Sequence, residues 1–169
     1  MVGVAGVDRV PGGVVFDRAD EAEELRQKAI AIGLDSSRTL PEVNKLAWSL
    51  LTAEDETLRD YDVALKMFRQ AMKNSPPVTV DKRTLGVAHY RNGNWQEAMD
   101  TLSASLKSRP DNGYDLFFLA MADWQLGNKE QARQWYDEAT VWMTEHQPHS
   151  PELIRFRDEA EKLLQESEQ

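Results

Sequence analysis

Leu51, Leu85 and Leu119 stand 34 residues apart, and aligning the chain on them brings other columns into step without a gap. Small residues recur at Ala64, Ala98 and Ala132, and again at Ala71, Ser105 and Ala139. Bulky residues recur at Phe68, Leu102 and Tyr136; Gly86 pairs with Ala120, Gly93 with Gly127, and Pro76 with Pro110. A period of this length marks stacked supersecondary units, none of which can bury its apolar face alone. Paired helices approach closely only where side chains are small. Ala64, Ala98 and Ala132 on second helices are therefore expected to face small residues such as Gly86 and Ala120 on first helices. Gly93 and Gly127 fall where a first helix must stop in a left-handed conformation that a Cβ disfavours. Pro76 and Pro110 stop the second helices, since proline lacks the amide donor and clashes with the preceding turn. The expected fold class is all-α, a solenoid of helical hairpins.

The order Leu85-Gly86, Gly93, Ala98, Leu102, Ser105, Pro110 resembles the tetratricopeptide repeat, a family with a 34-residue period. Trp48 stands at the family's tryptophan position in the first unit. The resemblance covers three units, about 45–78, 79–112 and 113–146. There are departures: the family's tyrosine slot holds Asp55, His89 and Asp123, Thr52 and Arg59 replace two glycines of unit one, and Thr144 replaces the closing proline of unit three. The resemblance implies a right-handed superhelix that holds a protein or peptide. The segments Leu46-Ala47-Trp48, Leu85 to Arg91 and Phe117 to Ala120 also look like the repeat tails of some multidomain bacterial serine/threonine kinases. An accessory module detached from such a signalling protein is a second expectation.

The flanks differ from the repeats. Residues 1–16, with four glycines and six valines, read as an extended or flexible segment. Residues 17–40 read as an acidic amphipathic helix and connector, with Ala22, Leu25, Ala29 and Ile32 at helical spacing. The repeat domain then occupies 41–169. Its last helix, 150–167, opens with Ser150 as N-cap and Pro151 at the first helical position. The stripe Leu153, Phe156, Ala160, Leu163 and Leu164 suits a cap over the open end of the array. Truncation to 1–148 is expected to expose that surface.

The formal net charge of −9 argues against nucleic acid, which is gripped by clustered Lys and Arg. Acidity is concentrated at the ends: residues 1–35 carry seven acids against four bases. Cysteine is absent, which excludes disulfides and thiolate metal sites. No run approaches the roughly 20 apolar residues that span a bilayer, so no membrane partner is expected and the location expected is cytoplasmic. No cofactor motif, phosphate loop or catalytic carboxylate pair stands out, and an enzyme is not expected. His146 and His149 flank Pro148, which breaks the helix between them, and they read as a loop rather than a metal site.

Surface recognition remains. The resemblance places a partner groove along the first helices, formed by Arg83, Val87, Tyr90 and Arg91 of unit two and Tyr114, Phe117, Met121 and Trp124 of unit three. Aromatic residues with arginine are what binding hot spots favour. Two alternatives stand beside an open groove: the chain's own residues 1–35 fill it, their acidic helix suiting Arg83 and Arg91, or the aromatic surface makes a homo-oligomer.

Overall fold

The computed structural model describes residues 39–74, 81–110 and 112–165, together with 23, 24, 27, 28, 30, 31 and 35. The segment 1–16 and Pro76 lie outside the described residues. Of the acidic N-terminal helix, residues 23, 24, 27, 28, 30 and 31 are helical, and Ile30 packs against the core.

Among the described residues from 40 onward seven α-helices follow one another: α1 (Leu40–Thr52), α2 (Tyr61–Asn74), α3 (Lys82–Arg91), α4 (Trp95–Ser108), α5 (Gly113–Gln125), α6 (Lys129–His146) and α7 (Pro151–Gln165). A 3-10 turn, Glu56–Leu58, lies between α1 and α2, and no strand occurs among the described residues. The pairs α1–α2, α3–α4 and α5–α6 are hairpins in mutual contact, an all-α helical repeat fold.

Caps fix where these helices begin. Asp81 accepts the Thr84 amide at 3.1 Å, Asn112 accepts the Tyr114 amide at 3.2 Å, and the Ser150 hydroxyl accepts the Leu153 amide at 3.4 Å. At the start of α1 the Glu42 carboxylate accepts the Thr39 amide at 3.0 Å.

The repeat register appears in matching local settings. Ala64, Ala98 and Ala132 are each the fourth residue of a second helix, and each is fully buried. Their amides bond to Asp60, Asn94 and Asn128 carbonyls at 3.1, 2.9 and 2.9 Å. A Cβ on Gly86 would sit 2.6 Å from Leu102 Cγ, so α3 and α4 cross where only glycine fits.

The hairpin turns of units two and three are built alike. Gly93 and Gly127 have φ of 74° and 87°. Each turn closes with two bonds: Gly93 to Tyr90 at 3.0 Å and Asn94 to His89 at 3.0 Å, then Gly127 to Trp124 at 3.1 Å and Asn128 to Asp123 at 2.9 Å. This pattern satisfies the last carbonyls of the first helix and needs a left-handed residue. Unit one has Arg59 at that position, with φ −80°. Without the glycine, α1 stops at Thr52 and the 3-10 turn fills the gap, tied by Arg59 Nε to the Ala53 carbonyl at 2.7 Å.

Helix α5 lies at the centre. From Gly113 to Trp124 every residue except Tyr114 is buried. A helix apolar around its whole circumference has to be enclosed on all sides, and α4, α6 and α7 enclose it. Helix α7 does not simply close the end of the array. It runs beside α5, with Phe156 against Phe118 near one end and Leu164 clustered with Trp124 and Ala132 near the other. It also reaches back to α1, where Glu152 accepts the Trp48 indole N–H at 3.0 Å and Arg155 Nη2 donates to the Thr52 carbonyl at 3.2 Å.

Candidate functional site

The first helices α1, α3 and α5 share one face, and α7 lies against it. Its stripe Leu153, Phe156, Ala160 and Leu164 is buried. Phe156 is the central anchor. Its ring stands edge-on to Phe118 at 4.9 Å, Tyr114 at 6.2 Å and Trp48 at 6.3 Å, so all of its ring partners come from first helices. Edge-to-face contacts at these separations add to the stabilisation from burial alone.

Charge fixes the register of α7 on this face. Arg91, at the end of α3, holds Glu159 through its two terminal guanidinium nitrogens, with Nη2 to Oε2 at 2.7 Å. The guanidinium also lies 5.3 Å from the Phe118 ring centre and 5.7 Å from those of Tyr61 and Tyr90. Burial opposes the charge on Arg91, but Glu159 and the two tyrosines more than offset this, and its pKa is raised. Burial, with the nearby Glu159 carboxylate, raises the Tyr90 pKa. Beside this pair a cleft of about 570 Å³ stays open to solvent, lined among others by Arg59, Tyr61, Arg155, Asp158 and Lys162.

A second polar group joins units two and three. Arg83 Nε lies 3.1 Å from Asp115 Oδ1 and the guanidinium covers the Tyr114 ring at 5.1 Å, while Arg109 reaches Asp81 at 3.3 Å. Burial raises the Asp115 pKa; Ser105, Arg83 and Arg109 pull the other way. Asp81 and Asp115 occupy one column of the repeat, 34 residues apart.

The eight residues expected to line an open groove divide sharply. Arg83, Tyr90, Arg91 and Tyr114 lie on the shared face, partly covered, and all but Arg83 are within the network around α7. Val87, Phe117 and Met121 are fully buried, and Trp124 is buried at 4% exposure. Phe117 turns instead toward the hairpin partner, with its ring 6.1 Å from Tyr136. These four are core residues, which corrects their placement on an open surface. Phe117, Met121 and Trp124 are covered because α4, α6 and α7 enclose α5, and Val87 is covered by the core packing around α3.

Trp48, Phe118, Glu152, Phe156 and Glu159 were not assigned to the groove from sequence. The apolar run Leu116 to Ala122 was the available signal, since seven such residues in succession leave α5 no solvent face.

The tyrosine-slot departures are accommodated locally. Asp123 accepts the Trp135 indole at 3.0 Å and the Asn128 amide at 2.8 Å; Asp55 caps the 3-10 turn through the Thr57 amide at 2.9 Å. His146 stacks on Trp142, ring centres 4.7 Å apart.

Hairpins repeated at 34 residues, with glycine-closed turns and small-residue crossings, define an all-α helical repeat of the tetratricopeptide type. Residues 83–147 match the family model described as tetratricopeptide repeat. The match spans the second and third hairpins, the two with glycine turns. Comparison with curated proteins and with solved structures gave no match. No described helix is long and apolar enough to cross a membrane.

Proposed function

We propose that this chain is an adaptor that binds a peptide or protein segment through the face shared by its first helices. Tetratricopeptide repeats generally mediate association between proteins. The observation that carries the proposal is the seat of Phe156. Trp48, Tyr114 and Phe118, from two different first helices, converge on one aromatic side chain of an amphipathic helix. A surface assembled in this way has the chemistry of helix-in-groove recognition, in which apolar anchors recur at helical spacing. Arg83, Tyr90, Arg91 and Tyr114 are the expected residues that remain on this face. Scaffold use also fits a family that is typically non-enzymatic.

Affinity capture from native lysate tests this with three full-length chains: unsubstituted, Tyr114→Arg on the shared face, and Val141→Arg on the exposed flank of α6. Val141 is 58% exposed and its change leaves the shared face intact. A partner held by the unsubstituted and Val141→Arg chains but released by folded Tyr114→Arg supports the adaptor. Retention by Tyr114→Arg with loss from Val141→Arg would place binding elsewhere and reject it.

A further inference from the structure

We infer that the shared face is a receptor for an amphipathic helix bearing an aromatic residue between two acids seven positions apart, that α7 is its built-in occupant, and that a partner protein's helix of this chemistry takes the place of α7. This rests on the adaptor proposal and names the chemistry of its partner.

Three features of α7 carry the inference. Glu152, Phe156 and Glu159 lie at i, i+4 and i+7 and make the principal directional contacts with the other helices: Trp48 Nε1 at 3.0 Å, Phe118 at 4.9 Å, and Arg91. They fall on one side of a helix, so any helix carrying the same three groups meets the same partners. The receptor also carries a cation that requires a carboxylate. Only 9% of the Arg91 side chain is exposed, and α7 satisfies it with Glu159, itself 35% exposed. Water can therefore reach Glu159, and the ion pair can open from its solvent side. The third feature is access, because the cleft of about 570 Å³ opens beside this ion pair, at the point where exchange begins.

The junctions inside the repeats are different. Where α3 crosses α4, Leu102 occupies the space of a missing Cβ on Gly86, a contact specific to those two helices. The contacts of α7 with α1 and α3 are polar and charged at their rims. Its connection to α6 is four residues, Gln147 to Ser150, of which the first three are exposed.

The test uses the full chain and a labelled synthetic peptide of residues 150–165. Saturable binding to the unsubstituted chain is expected. Glu159→Gln in the chain loosens the resident helix and should tighten peptide binding about tenfold, because apparent affinity scales with the open fraction. Phe156→Ala in the peptide should abolish binding. A peptide carrying Glu159→Arg should bind an Arg91→Glu chain in preference to the unsubstituted one, a reciprocal effect that a merely structural role of α7 does not produce. Absence of peptide binding to both the unsubstituted and Glu159→Gln chains, with α7 amides exchanging only on global unfolding, overturns the inference and leaves the capture result for the adaptor intact. Peptide binding with a captured partner indifferent to Tyr114→Arg supports the exchange but rejects the adaptor. If light scattering shows a dimer that the peptide dissolves, the occupant is a second copy and the external partner is rejected.

Discussion

Gly127 shows how much a single residue fixes. With φ at 87° and no neighbour within 4 Å of where its Cβ would stand, its requirement is conformational and not steric. Gly127→Ala should cost about 1–2 kcal/mol and lower the midpoint of thermal or denaturant unfolding while leaving the helical signal unchanged. His89 makes the opposite case, where surroundings act on chemistry. Burial, opposed by Glu97 and aided by Arg69, lowers its pKa from 6.5. A depressed folded-state pKa means that the unfolded chain takes up the proton first. The stabilising difference is present above pH 6.5 and is lost as pH falls through the folded-state value. His89→Gln should flatten the decline in melting temperature between pH 7.5 and 5.5, relative to the unsubstituted chain. The glycine requirement was legible in sequence, because the backbone demand at a helix end recurs with the period. The roles of Asp123 and Asp55 were not, since a carboxylate in an aromatic slot says nothing of which indole or amide will approach it.

Among elements, α7 was expected over 150–167 as a cap on the last repeat; it is described as Pro151–Gln165, packs on α5 and α6, and reaches α1 as well. Ser150 and Pro151 announce its start, and its stripe announces a buried face. Nothing in a stripe tells which surface it meets. That depends on where three preceding hairpins have carried the chain. The same limit explains the groove residues: Val87, Phe117, Met121 and Trp124 fit a groove by family position, yet all four are buried, the last three among the helices that enclose α5. Most of residues 1–35, the filler expected from sequence, lie outside the described residues; among the described ones the helix across this face is α7. Phe156→Ala should therefore cost about 3–5 kcal/mol, measurable by urea unfolding, because it removes the anchor from a site with three aromatic walls. A loss below about 1 kcal/mol would show that the site collapses around the vacancy or is not filled in solution.

At the scale of the whole molecule, repeat arrays ordinarily lose cooperativity because each unit touches only its neighbours. Here Trp48 and Glu152, 104 positions apart in sequence, are hydrogen-bonded. Scanning calorimetry should therefore give one transition whose calorimetric and van't Hoff enthalpies agree for residues 39–165, because a local opening of α7 that stays sparsely populated adds no separate peak. Two separated transitions would mean that α7 leaves α1 before the hairpins melt. The 34-residue period made the repeat architecture readable, but this return of the chain has no periodic trace.

The bond from Trp48 to Glu152 also limits how such a molecule can change its size. An open array tolerates the gain or loss of a module, since a new unit only lengthens the stack. Where α7 is bonded back to α1, an inserted hairpin would carry it away from Trp48 and Thr52 and break the clasp. Drift in repeat number is thereby penalised. Three hairpins are what bring α7 back to α1.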